Sequence, residues 1–217
     1  MALAVTAVDA ALLALALGGP NALFHHARAC ALIAVWGVGA IVLGLLRPVR
    51  AQDVVERAGA QVPLLMALLL VPLLTPALSA LGERFGWAPL PGGAPLRWAG
   101  VALVAAGLAL RMLAMVQLGS RFSPQVALQR EHTLETRGLY ARIRHPGYLG
   151  AALATLGAAL AFGSAVGLMG VALMGAALHL RMEQEEEMLA RRFGEDYARY
   201  RAGTGRLLPR LAANPHR

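Results

Sequence analysis

The chain contains no lysine, so all 20 of its basic residues are arginine. We read this as a compositional bias and not as a functional signal. A single cysteine, Cys30, excludes an internal disulfide and any metal site built from several thiolates. It stands at the start of an apolar run and reads as a small core residue. Charge is scarce: 15% of the 217 residues are charged and 58% are hydrophobic, whereas soluble domains carry roughly 25% charged residues. The hydrophobic residues gather in long runs, which indicates an integral membrane protein. No Lys or Arg precedes the first apolar run and no clear small-x-small cleavage site follows it, so a first transmembrane helix is expected there and not a signal peptide. There is no long-period repeat and no low-complexity tract. The net charge of +8 does not point to nucleic acid, because the arginines lie beside apolar spans, where basic charge sets topology and meets anionic headgroups. His132 and His145 have no second ligand at a helix-face spacing, so no metal is expected.

A spanning helix needs ~20 mostly apolar residues. The runs at 2–17, 29–46, 62–80 and 98–118 supply four segments. The first is short, is broken after residue 17 by Gly18-Gly19-Pro20-Asn21, and carries Asp9, a costly ionisable group within a span. The stretch 49–61 reads as a loop or a surface helix. Pro72 and Pro76 should kink the third segment or end it early. Residues 81–97, rich in Gly and Pro, read as a loop, with Trp98 anchoring the fourth segment at the interface. Apolar sequence from 148 to 180 is too long for one span, and Gly163-Ser164 near its middle is a plausible turn between two short helices. Small residues such as Gly150, Ala154 and Gly157 fit close helix approach there. Beyond Leu180 an amphipathic arm is expected, with Leu189, Phe193, Tyr197 and Tyr200 on one face. The fold class is therefore all-α: a polytopic helical bundle of five to six spans with a C-terminal amphipathic helix. Residues 1–118 form the N-terminal transmembrane helices and 119–217 a catalytic region of cytosolic loop, helical hairpin and arm.

Arginine placement sets the orientation. Loops after the even-numbered segments hold Arg47, Arg50 and Arg57, then Arg121, Arg130, Arg137, Arg142 and Arg144, then those from Arg191 onward. Loops after the odd-numbered segments hold only Arg28, Arg84 and Arg97. The positive-inside rule puts the arginine-rich loops in the cytoplasm.

Two polar stretches interrupt this apolar chain. In the first, Pro146 favours an extended residue before it and a new helix after it. His145 would then sit just outside a helix N-terminus, whose free N–H groups suit an anionic group such as a carboxylate. Tyr140 and Tyr148 could flank a flat ring or a cation. In the second, Arg181 and Glu185 share a helix face. Arg181 could hold an anionic group while Glu185 faces a cation. Alone, each stretch has an ordinary explanation that is the better one: an arginine-rich interfacial loop, and a surface ion pair worth little. Arg111 snorkels, pairs within the bundle or lines a pocket. His25 and His26 read as solvated loop residues, and His179 as an interfacial one.

In combination the order is Gln125, His132-Thr133-Leu134, Gly-x-Tyr, Arg-His-Pro-x-Tyr-x-Gly, an apolar hairpin, Arg-x-x-x-Glu-Glu and Phe-Gly-x-x-Tyr-x-x-Tyr. Over roughly 125–209 this pattern resembles the isoprenylcysteine carboxyl methyltransferase family and, less closely, other membrane methyltransferases, including those acting on phospholipid amines. The resemblance implies S-adenosylmethionine bound in a cytosol-facing pocket. Carried over by position, Gln125, His132, Thr133, Leu134, Glu135, Tyr140, His145, Pro146, Gly147, Tyr148 and Glu185 would contact that cofactor, and Arg181 would hold the substrate carboxylate. Glu186 would be the second member of the family's glutamate pair, so Arg181, Glu185 and Glu186 are the candidate catalytic residues. The cofactor's sulfonium is a cation suited to carboxylates and aromatic faces. A carboxylate acceptor is already ionised near neutral pH, so positioning can replace a general base. The expected activity is carboxyl O-methylation of a lipid-like acceptor. Transfer to an amine or thiol, a non-catalytic lipid-binding role and a nicotinamide-dependent reductase are the alternatives.

Overall fold

The computed structural model describes residues 2–45, 54–57, 62–119, 127–129 and 134–210. The helices are α1 (Ala2–Leu17), α2 (Pro20–His25), α3 (Ala27–Leu45), α4 (Val62–Phe85), α5 (Gly93–Leu118), α6 (Pro146–Ala161) and α7 (Val166–Gly203). A 3-10 turn, Gly138–Ala141, precedes α6. Two short strands, β1 (Val54–Arg57) and β2 (Ala127–Gln129), pair antiparallel. The stretch expected to be a loop or surface helix thus includes a strand, tied to the connection between α5 and α6.

Among the described residues, α3, α4, α5 and α7 are long and apolar enough to cross a membrane. Helices α1 and α6, of 16 residues each, are apolar but shorter. The architecture is that of a polytopic helical bundle. Many of its large hydrophobic side chains point outward, among them Leu15, Val38, Leu70, Leu113 and Met169, as suits a surface that faces lipid.

Helix α4 runs on through Pro72 and Pro76 instead of ending at either. The hydroxyls of Thr75 and Ser79 donate to the carbonyls of Val71 and Thr75 along this stretch. The helix also reaches Phe85, and α5 begins at Gly93, so the loop expected over 81–97 is much shorter. Trp98 lies in the second turn of α5, half exposed.

The most extensive helix contact is between α5 and α6, and glycine makes it possible. A Cβ on Gly107 would meet the Gly150 carbonyl at 2.6 Å, and one on Gly100 would meet that of Gly157 at 2.7 Å. Each glycine thus lets the opposite backbone approach closely, the packing mode that stabilises helix pairs in lipid.

One end of the bundle is sealed. The Glu83 carboxylate accepts from Arg28 at 2.8 Å, pairs with Arg97 at 3.2 Å and meets His26 at 3.3 Å. Arg28 also donates to the Ala161 carbonyl at 2.6 Å. His26, expected to be solvated, is instead part of this cluster, its ring 5.6 Å from that of Phe162. The Gly163-Ser164 turn lies at the same end, bound to the α4–α5 loop by Leu90 N–H to Gly163 O and by Ser164 Oγ to Trp87 O. The opposite end carries the polar stretches.

Candidate active site

A cavity of about 550 Å³ opens into that opposite end. Its walls come from the first halves of α1 and α4, Trp36 of α3, the second half of α5, α6 as far as Ala158, and α7 from Met174 onward. The connection before α6 supplies Leu134, Glu135 and Tyr140. Leucines at 65, 68, 69, 73 and 108 give it apolar lining, and Glu185, Arg181, His145 and Tyr148 give it polar groups.

The polar lining is assembled from three pieces of chain. Gln117 on α5 holds the 3-10 turn: its amide donates to the Arg137 carbonyl, and its oxygen accepts the Leu139 N–H at 3.0 Å. This seats Tyr140, which is buried with its hydroxyl directed at the Ala114 carbonyl. Pro146 occupies the first turn of α6 and His145 caps it, as the sequence predicts. The His145 and Tyr148 rings stack at 5.4 Å, and the Tyr148 hydroxyl donates to Glu185 at 2.6 Å. Arg181 and Glu185 face the cavity one turn apart on α7.

Glu186 faces elsewhere. It is buried, does not line the cavity, and accepts from Arg144 and His145 at 3.0 Å each and from Arg206 at 3.2 Å. Its carboxylate requires His145 Nε2 to carry the proton of that bond. Burial pushes the Glu186 carboxyl up, but the hydrogen bonds from His145 and Arg144, with their charge, outweigh burial and hold it down at about 2.

The third piece is the chain after α7. The amides of Arg144 and His145 donate to the Gly205 and Arg206 carbonyls, and the Gly205 amide donates back to Arg142. Arg144 also bonds the Thr204 carbonyl. This strap carries the end of α7 over the cavity, so that Leu189, Tyr197 and Tyr200 line it. Tyr200 donates to the Tyr140 carbonyl at 2.8 Å. The buried Tyr197 hydroxyl has no partner among the described residues.

Of the residues singled out in the sequence, Leu134, Glu135, Tyr140, His145, Gly147, Tyr148, Arg181 and Glu185 converge on this cavity. Pro146 is buried beside it. Gln125, His132 and Thr133 lie outside the described residues. A Cβ on Gly147 would meet nothing closer than 3.7 Å, so packing alone does not demand glycine there. Arg111 lines the cavity and donates to the Gly147 carbonyl at 3.1 Å, which decides among its three sequence readings. Gln117 and Thr204 to Arg206 gave no sequence signal, because their roles rest on contacts between distant parts of the chain.

Residues 100–191 match the family model described as the isoprenylcysteine carboxyl methyltransferase (ICMT) family. The sequence resembles that family over this stretch. Protein-S-isoprenylcysteine O-methyltransferase of Schizosaccharomyces pombe is 39% identical over 98 residues, covering 44% of this chain and 42% of that protein. The Homo sapiens protein of the same name is 33% identical over 122 residues, 55% of this chain and 43% of that one. The chain thus spans less than half the length of these relatives. A solved structure of the eukaryotic intramembrane Ras methyltransferase ICMT superposes with a TM-score of 0.52 at 20% identity, covering 85% of this chain and 68% of that one. The ICMT-like likeness in fold therefore reaches well beyond the stretch matched in sequence, into the N-terminal helices.

Proposed function

We propose that this protein is an integral membrane methyltransferase that uses S-adenosylmethionine and methylates the carboxylate of a lipid-like acceptor. The observation that carries this reading is the placement of Arg181 and Glu185 together on one wall of a cavity lined by both charged and apolar side chains. The relatives named as isoprenylcysteine O-methyltransferases support it.

The polar lining fits the cofactor chemically. Glu185 is a carboxylate for a cationic group, Tyr140, Tyr148 and Tyr200 offer aromatic faces to a sulfonium, and the buried Tyr197 hydroxyl has a hydrogen bond to give. When bound, S-adenosylmethionine supplies a methyl group on a positively charged sulfur. Tyr148 orients Glu185 through its 2.6 Å hydrogen bond. Arg181, with Arg111 on the facing helix, holds the acceptor carboxylate through charge-assisted bonds and aims one oxygen for in-line attack. A carboxylate needs no general base, so positioning provides the rate enhancement. Glu186 acts as a positioning residue: it fixes Arg144, His145 and the strap. We assign the charged apparatus, Arg111 apart, to the catalytic region, 119–217, and the chamber for the acceptor's apolar body largely to the helices of 1–118. The arginine-rich loops support a site on the cytoplasmic side.

The test is a methyl-transfer assay with labelled cofactor against prenylated thiols with a free carboxylate, fatty acids, phospholipid amines and small thiols, alongside calorimetry of cofactor binding in detergent. Cofactor binding with base-labile ester formation is expected. Folded protein that binds no S-adenosylmethionine, or that methylates only amines or thiols, overturns the reading.

A further inference from the structure

Helix α1 brings one acidic side chain to the cavity. Asp9, in the third turn of α1, lines it together with Val5, Trp36, Leu65, Leu69 and Leu108. No described residue forms a hydrogen bond or ion pair with it. Arg111, a cation of the same cavity, is bonded to the Gly147 carbonyl instead. A carboxyl within a span is costly and persists where it faces a partner or a functional cavity. Here the cavity is what it faces. Val5 and Leu69, which line the same cavity, are also substantially exposed.

A purely hydrocarbon acceptor body would strip Asp9 of water and return no hydrogen bond. A body with a donor at that level would satisfy it. A site built to bond a substrate hydroxyl discriminates against the analogue lacking it, because the unmatched polar group stays buried and unpaired.

We propose that Asp9 is a specificity-determining residue that selects acceptors whose apolar body carries a hydrogen-bond donor, such as a mid-chain hydroxyl, over acceptors of unbroken hydrocarbon. This rests on reading the cavity as the chamber for a lipid-like carboxylate.

The test is equilibrium binding of labelled hexadecanoic acid and a mid-chain hydroxyhexadecanoic acid to the full-length protein in detergent with S-adenosylhomocysteine present. Wild type is expected to bind the hydroxy acid ~10-fold more tightly, the size of one net hydrogen bond. Asp9→Leu should abolish or invert that preference, and Asp9→Asn, which keeps an acceptor oxygen, should retain most of it. The same affinity ratio in wild type and Asp9→Leu, or no saturable binding of either acid, overturns the proposal. Failure of the functional reading registers separately, as the expected binding ratio without ester formation once S-adenosylmethionine is supplied.

Discussion

At the scale of single residues, the two adjacent glutamates of α7 have different jobs. Glu185 meets the cavity and takes the Tyr148 hydroxyl, while Glu186 is held by three donors from two other parts of the chain. Glu185→Ala should weaken S-adenosylmethionine binding by about tenfold or more, the scale of a lost charged contact. Arg181→Ala should spare that binding and abolish ester formation. Calorimetry with turnover on the same preparations separates the two, and equal loss of cofactor affinity in both would overturn the division. The prediction for Glu186 concerns pH. Its carboxyl is held at about 2 in the folded protein, below the ordinary 4.5, so the folded state binds this proton less readily than the unfolded chain. Its contribution is then complete above about pH 4.5 and is lost as pH falls towards about 2. Amide exchange at Arg144, His145 and Gly205, the N–H groups that tie the strap, corrected for the intrinsic pH dependence, should lose protection across that window in wild type. Glu186→Gln should show weak protection throughout, and flat protection in wild type down to pH 2 would contradict the assignment.

At the scale of elements, the α5–α6 pair is the rigid frame. It fixes Arg111 and Gln117 on one helix against Gly147 and Tyr148 on the other. Gly150→Ala would place a Cβ 2.5 Å from the Gly107 carbonyl. Backbone cannot yield as a side chain can, so a loss of about 1–3 kcal/mol is expected, as for other overpacked sites. Gly175→Ala on α7, where a Cβ meets nothing within 4 Å, should be near neutral. Thermal unfolding of both variants in one detergent checks this, with comparable midpoints contradicting it. The elements also mark the limits of the sequence. His-Pro at a helix start and the Gly163-Ser164 turn were legible because each is a local pattern, whereas the Leu189–Tyr200 face was legible only in part: α7 kinks at Gly194, and Leu189, Tyr197 and Tyr200 line the cavity without Phe193. The passage of α4 through two prolines was not, since tertiary packing overrode a local preference. His26 was misread for a similar reason: its partner Glu83 is far away in sequence.

For the molecule as a whole, the bundle is asymmetric from end to end. The Glu83 cluster closes one end, and the polar groups of the cavity, the strap and the Gly138–Ala141 turn occupy the other. Arginine placement gives an expected polarity for the chain, whereas the chamber had no sequence signal, because its wall uses single positions such as Asp9 and Trp36 from helices that show no motif of their own. Placing the site on the cytoplasmic side makes a prediction for the whole fold. In a Cys30→Ser background, a cysteine at exposed Arg199 on the arm should react with a membrane-impermeant maleimide in inside-out vesicles and stay unlabelled in intact cells. A cysteine at exposed Trp87, beside the sealed end, should show the opposite pattern if α4 crosses completely. Labelling of both from the same side would mean that α4 or α5 re-enters without crossing, and labelling of Arg199→Cys from outside would invert the topology. In that case a cytosolic pool of S-adenosylmethionine could not reach Glu185, because the polar mouth of the cavity and the arm lie at the same end of α7.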